Sequence, residues 1–391
     1  MENVIIVSAQ RTAVAAFQGA LAQVPAPKLG AAVIAAAVKE AGISASDVQE
    51  CIMGEVLTAG VGQAPARQSA IYAGLKDSTV CMTINKVCGS GLKAVMLAAD
   101  SIQLGNIKIA VAGGQENMSL APHLLENSRS GFRMGNANVT DSMVKDGLWD
   151  PYNNWHMGSA AELCVKEKHF SREDQDTFAK NSYTKAAEAQ AKGYFKKEIT
   201  PVEVQDRKGT IQFSVDEEPG KANFEKMLTL KPAFDKAGTI TAANASKLND
   251  GAAALVLMSE SEAKKRGTKG LAKIVASATF AQDPKWFTTA PVGAIKAALG
   301  KAGLKISDID LWEINEAFSV VTQVAMKELE IPAERVNPHG GAVAIGHPIG
   351  ASGARILTTL VHALHTHGKR YGLATLCIGG GEAVAMIVEK T

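Results

Sequence analysis

Three short segments in the first part of the chain recur, in the same order, roughly 260 residues later. Residues 41–48, Ala-Gly-Ile-Ser-Ala-Ser-Asp-Val, return at 302–309 as Ala-Gly-Leu-Lys-Ile-Ser-Asp-Ile. Gly89-Ser90-Gly91 returns as Ala351-Ser352-Gly353, and each opens a helix with a long apolar face. Val111-Ala112-Gly113-Gly114-Gln115-Glu116 returns as Cys377-Ile378-Gly379-Gly380-Gly381-Glu382. One such match is chance; three in a fixed order point to a duplicated fold. Two unrelated α/β domains in tandem are the competing explanation.

Both parts alternate short apolar strands with amphipathic helices, the pattern of α/β layers with helices covering a buried sheet. Strands fall near 3–8, 51–57, 79–84 and 107–113, then near 271–280, 309–314, 373–378 and 383–389. Between them, residues 119–248 are richer in Asn, Lys, Asp and Met and hold a helix with a capping box at Ser171 and Asp174 and a terminating Gly193. The expected organisation is a first half over 1–118 and 249–268, an inserted loop domain over 119–248, and a second half over 269–391. Duplicated halves set two equivalent groups of loops around one axis, and a site can form where they meet.

Composition narrows the function classes. A net charge of +2, with no basic stretch interleaved with aromatics, argues against nucleic acid as partner. No apolar run reaches the roughly 18 residues of a membrane span, and the start carries no secretory pattern. A cytoplasmic location is expected. The 5 cysteines, at 51, 81, 88, 164 and 377, form no Cys-x-x-Cys pair, so free thiols are expected rather than a zinc site or disulfide framework.

Cys88 follows an apolar strand and precedes Gly89-Ser90-Gly91, at the start of a helix whose face is marked by Leu92, Val95, Met96, Ala99 and Ile102. Unpaired N–H groups there favour a thiolate; a small buried hydrophobe before a helix cap is the plainer alternative. His347 lies in a run of small residues, Gly340 to Gly353, where the backbone can pack close to a ligand and an imidazole can activate a cysteine. Cys377 ends a strand and runs into three glycines whose bare N–H groups suit an oxyanion. Asn315 follows another strand, where it can cap a helix or orient a water. Each stands at a strand end or in a glycine-rich turn, where sites form in α/β sheets. A cysteine hydrolase needs one thiol, so a second calls for a different reaction.

At these residues the chain resembles the thiolase family, in particular its biosynthetic branch. The resemblance rests on Asn85-Lys86-Val87-Cys88-Gly89-Ser90-Gly91, Asn315-Glu316-Ala317-Phe318, Gly346-His347-Pro348-Ile349-Gly350-Ala351-Ser352-Gly353 and Cys377-Ile378-Gly379-Gly380-Gly381, and covers essentially the whole length. It implies an α/β fold of two βαβαβαββ halves, with central helices sandwiched between two mixed sheets, plus a loop domain. It also implies a homotetramer of tight dimers and a reaction joining two acetyl-CoA into acetoacetyl-CoA and CoA, or its reverse. In that reaction Cys88, deprotonated by His347, takes the acetyl group, and Cys377 removes a proton from the second acetyl-CoA. One oxyanion hole is formed by His347 and a water on Asn315, the other by the N–H groups of Cys88 and Gly379. The implied CoA and acyl contacts are His156, Met157, Phe234, Ser246, Ala317, Phe318 and Phe287. No metal or redox cofactor is implied, since the substrate itself carries coenzyme A.

The chain departs from the family at several places. The loop 217–228 has no Arg for the nucleotide phosphates, leaving Lys221 as a substitute; Phe287 replaces a common Met; Glu382 follows the glycines where an uncharged residue is usual; and Arg11-Thr12-Ala13 lacks a Pro. A thiolase of broader chain length is the nearest rival. A ketoacyl-synthase-like condensing enzyme would lack Cys377. A dinucleotide-dependent oxidoreductase would need a Gly-x-Gly-x-x-Gly after a first strand, and a catalytically silent CoA binder is the remaining alternative. Cys51, Cys81 and Cys164 read as buried structural residues, and His362, His365 and His367 as solvated side chains at a helix end.

Overall fold

The computed structural model describes residues 2–206 and 209–391. The first half contributes β1 (Val4–Thr12), α1 (Ala26–Glu40), β2 (Glu50–Gly54), α2 (Pro65–Tyr72), β3 (Val80–Ile84), α3 (Ser90–Gln103) and β4 (Ile109–Asn117). Helices α4 (Met157–Lys168) and α5 (Arg172–Ala191) follow, then β5 (Asn249–Ser259). The second half runs β6 (Ala272–Ala281), α6 (Ala290–Ala302), β7 (Leu311–Ile314), α7 (Ser319–Leu329), α8 (Ser352–Thr366), β8 (Tyr371–Ile378) and β9 (Glu382–Lys390).

Nine strands follow one hydrogen-bonded path, β7-β8-β9-β6-β1-β5-β4-β2-β3. The sheet is mixed: β2 runs parallel to β3 and β4, and β7 parallel to β8, while the other pairs are antiparallel. The path contains the sheet of each half, β3-β2-β4-β5-β1 and β6-β9-β8-β7. The two join along a seam of three residue pairs, from Val4↔Ile274 to Ile6↔Ala272. Beyond the seam the register shifts at Ile6/Ser8 in β1·β5 and at Ile274/Ala276 in β6·β9. Such irregularities bend and twist the strands, so the halves splay and leave room between them.

Alternation along the strands assigns the layers. Val4 and Ile6 of β1, Leu255 and Leu257 of β5, Leu376 of β8, and Val384 and Met386 of β9 point into a central core with α3 and α8. Ile5, Val7, Val256 and Met258 point the other way, onto α1 and α2. Leu373, Cys377, Ala385 and Ile387 pack on α6 and α7. Helix α8 is buried on nearly every side from Ser352 to Leu364, as a helix between two sheets must be. The halves match element for element, with one difference. Where the first has strand β3, the second has a single bridge, Val336 to Trp312.

Glu198 and Asp216 are fastened to β1 by a buried cation. Arg11 donates to Glu198 at 2.6 Å and, through two nitrogens, to Asp216 at 2.7 and 3.0 Å. Helix α5 begins with Ser171 and Asp174 in a reciprocal capping box, and Gly193 lies just past its end with φ +71°. Among the described residues no helix is long and apolar enough to cross a membrane.

The central helices touch through glycine. A Cβ on Gly353 of α8 would lie 2.3 Å from the Leu92 nitrogen of α3, and one on Gly91 would lie 2.8 Å from the Ala354 nitrogen. Neither backbone can yield without moving a whole helix. Gly353→Ala should therefore cost about 1–3 kcal/mol, the usual range for overpacking a core, and lower the melting temperature by several degrees in a thermal scan. An unchanged melting temperature would show that the helices can separate.

Candidate active site

Strand β3 ends at Ile84 and hands the chain to a tight turn that presents Cys88. Asn85 Oδ1 accepts the Val87 N–H at 2.8 Å, and Ser90 Oγ accepts the Lys86 N–H at 2.8 Å while donating to the Val87 carbonyl at 2.6 Å. These bonds hold Val87, a β-branched residue, at φ +45°, a conformation such residues avoid. Gly89 is needed here: a Cβ would lie 2.4 Å from Ile378 Cδ1, so the loop rests against the strand that carries Cys377.

The two sulfurs converge from opposite halves. Burial pushes the Cys88 thiol up to about 11, while the N–H groups of Gly379 and of Cys88 itself pull it down. Burial and neighbouring Cys88 hold the Cys377 thiol well above its ordinary range. A thiolate favoured by the helix terminus is thus not the resting form. Burial outweighs the helix end, and Cys88 stays a thiol until something accepts its proton.

His347 is held ready for that proton. Its N–H donates to Asn249 Oδ1 at 2.8 Å, and Gly346, at φ +117°, leaves no room for a Cβ beside the Asn249 amide. The imidazole Nδ1 lies 2.5 Å from Ser352 Oγ, which is also 2.9 Å from the Pro348 carbonyl. In the tautomer whose Nδ1–H donates to Ser352, Nε2 carries no proton. Nε2 is buried with no protein partner, and burial followed by the Arg355 charge depresses the imidazole to about 3. Both amide atoms of Asn315 are likewise buried and unpartnered. Buried polar groups are normally bonded, so His347 Nε2 and the Asn315 amide are exceptions that a ligand or water would satisfy.

Two carboxyl groups brace the His347 loop. Glu116 accepts the N–H groups of Gly350, Val56 and Leu57 at 2.7–3.1 Å. Glu316 accepts Ser182, Asn337 and the Val343 N–H at 2.7–3.0 Å. The repeat sets Gly54-Glu55 of the first half against Asn315-Glu316 of the second. Gly54 has no room for a side chain like that of Asn315, since a Cβ there would lie 2.6 Å from Ser90.

A cavity of about 570 Å³ opens beside His347 and Ile349, lined by His156, Phe234, Ser246, Phe318 and Leu148, with Lys221, Lys247 and Glu218 among its walls. That volume suits a small-molecule site. Its aromatic floor is ordered: His156 stacks on Phe234 at 4.8 Å, and Phe318 meets Phe234 and Phe287 edge-on at 5.9 and 6.3 Å. Among the described residues no group of His, Cys, Asp and Glu is arranged to hold a metal.

Family models for the thiolase N-terminal and C-terminal domains match residues 4–261 and 268–390. The chain belongs to the thiolase family. It is 55% identical over 392 residues to a Cupriavidus necator protein named acetyl-CoA acetyltransferase, with all of both chains covered. Proteins of that name from Escherichia coli and Pseudomonas aeruginosa are 52% and 51% identical, again over the whole of both chains.

Of the expected thiolase residues, only some line the cavity. His156, Phe234, Ser246, Phe318 and His347 do. Met157 sits behind Gly379, its sulfur 3.7 Å from where a Cβ would stand, and the Ala317 carbonyl accepts the Ser246 N–H at 3.0 Å. Phe287 is core, not wall: it is 2% exposed and backs Phe318. Ser352, Asn249, Glu116 and Lys247 escape the sequence reading, because nothing beside them in the chain signals the partner through which each acts on the site. Cys51 and Cys164 are buried as expected, but Cys81 is half-buried because its strand is the sheet edge. His362 and His365 bond the Ala9 and Leu271 carbonyls, and His367 faces His339 at 3.0 Å, so these rings are less free than solvated side chains.

Two outcomes are expected. With an imidazole depressed to about 3 from its ordinary 6.5, protonation of His347 in the free enzyme should not limit Cys88 acylation near pH 6.5; the acidic limb of the acylation rate against pH should lie below about 5. Ser352→Ala frees the ring tautomer and should slow acylation at least tenfold, within the roughly 10²–10⁴-fold that positioned acid–base groups supply, with the melting temperature little changed.

Proposed function

We propose that this chain is an acetyl-CoA acetyltransferase that condenses two acetyl-CoA molecules to acetoacetyl-CoA and CoA, and catalyses the reverse thiolysis. The observation that carries the reading is the meeting of Cys88 and Cys377, brought from opposite halves, in a chain whose buried His347 has an Nε2 without a protein partner. The names of the full-length relatives support the substrate.

The first acetyl-CoA enters the cavity with its pantetheine arm along His156, Phe234, Ser246 and Phe318. Cys88 gives its proton to His347 Nε2 as its sulfur attacks the thioester carbon. The imidazolium and a water on Asn315 then face the oxygen that gains charge. The C–S bond of the thioester breaks and the departing CoA sulfur takes the Cys377 proton, leaving acetyl-Cys88, an imidazolium and a Cys377 thiolate. The Cys377 thiolate then takes a methyl proton from the second acetyl-CoA, whose carbon attacks the acetyl carbonyl. The carbonyl oxygen turns to the N–H groups of Cys88 and Gly379 until the C–S bond breaks, acetoacetyl-CoA leaves, and the Cys88 sulfur regains the proton held by His347. Each lost donor of such a hole typically costs about 10²–10³ in rate. These steps use no metal or redox cofactor.

Phe287 behind Phe318 makes the inner wall stiff, which supports a small acyl group over a long one. Exposed apolar side chains at Leu125, Phe132, Met134 and Val139 support association into a tetramer of dimers. Free thiols throughout support a cytoplasmic location.

Labelled acetyl-CoA tests the roles. The wild type should carry label on the Cys88 peptide, Cys377→Ser should keep the label but lose condensation, and Cys88→Ser should lose both. Label elsewhere, or condensation surviving in Cys377→Ser, would overturn the assignment. Lys221, at the cavity and 56% exposed, is placed to meet the nucleotide phosphates in place of the missing loop Arg. Lys221→Glu should raise KM for acetyl-CoA several-fold, more at low salt than at high, and leave kcat within about twofold.

A further inference from the structure

Two cysteines that take no part in this chemistry stand side by side. Cys51 of β2 and Cys81 of β3 are direct partners across a parallel ladder. Both turn toward the layer of α1 and α2, Cys51 inside its core and Cys81 packed against it. Cys51 is fully buried and Cys81 half-buried, both as free thiols. Arg67 of α2 brings Nη1 to 3.8 Å from the Cys81 sulfur while bonding the Thr79 and Asp77 carbonyls at 2.6 and 2.8 Å.

Packing alone calls for no guanidinium there. A cation fixed beside one thiol of a registered pair favours its thiolate and leaves it nucleophilic. The neighbouring Cys51 thiol and Arg67 draw the Cys81 thiol below its ordinary range, while Cys51 is held well above. Neighbouring strands lie about 4.8 Å apart, within the roughly 4.4–6.8 Å that a disulfide spans between α carbons.

We propose that Cys51 and Cys81 form an oxidisable dithiol, in which a hydroperoxide converts Cys81 to a sulfenic acid that Cys51 resolves into a cross-strand disulfide. In the first step the Cys81 sulfur bonds the distal peroxide oxygen, the O–O bond breaks, and the rest leaves as an alcohol, or as water from hydrogen peroxide. In the second the Cys51 sulfur bonds the Cys81 sulfur and water leaves with the Cys51 proton. Two thiols are oxidised by two electrons and the peroxide is reduced by two. A thiol reductant reverses the product.

The full-length protein treated with hydrogen peroxide, digested without reduction and read by mass spectrometry, tests this. The Cys51 and Cys81 peptides should appear joined, about 2 Da lighter than their sum, and separate on addition of dithiothreitol. The same link should form in Cys88→Ser, which removes oxidation of the active site from the picture. In Cys51→Ser, dimedone should capture a sulfenic acid on Cys81; in Cys81→Ser, Cys51 should stay unmodified. Cys51 and Cys81 remaining reduced while Cys88 oxidises, or Cys51 reacting without Cys81, would overturn the proposal.

Discussion

The fold depends on how closely α3 and α8 approach each other between the two splayed sheets. Both helices begin at the same level because their first turns interlock at Gly91 and Gly353, backbone against backbone. The turn before one carries Cys88 and the turn before the other carries His347. The seam at β1 and β6 and the layers outside it keep this pair of helices in place. A side chain at either glycine would separate two residues that are remote in sequence but must exchange a proton.

Desolvation sets the electrostatics of the site. Burial keeps Cys88 a thiol and His347 an uncharged imidazole, so the resting enzyme holds no ion pair between them. Charge appears only when a thioester arrives with an oxygen to receive it, and the donors are already aimed there. The same burial raises Glu116 to about 7, yet its three backbone partners hold it in place. Neutral parts in fixed positions suit a reaction whose charge is transient.

Much of this is legible in the sequence. The repeat exposes the duplication, the glycine runs locate the close contacts, and the capping residues Ser171, Asp174 and Gly193 bound α5. Cys88, His347, Cys377 and Asn315 are visible because each stands at a strand end or turn. The seam joining the sheets is not, since three paired residues leave no pattern distinct from ordinary strand ends. Ser352 and Asn249 are equally hidden: nothing local in Ala351-Ser352-Gly353 says that the hydroxyl bonds the His347 ring. Likeness assigns Phe287 to the pocket, but side-chain depth sets it one layer behind the wall. Cys81 reads as interior because a strand at the edge of a sheet and one in its middle share the same composition.

The two halves differ where the second has one bridge at Val336 in place of a strand. In the first copy, that strand anchors the nucleophile's turn to the sheet and Gly54 lies flat beneath it. The second copy, released from that anchor, spends the same length of chain on a loop that folds over the helix end, and its counterpart of Gly54 is free to be Asn315. The twin copies therefore present unlike groups from matching positions, a bare glycine in one and a buried amide in the other.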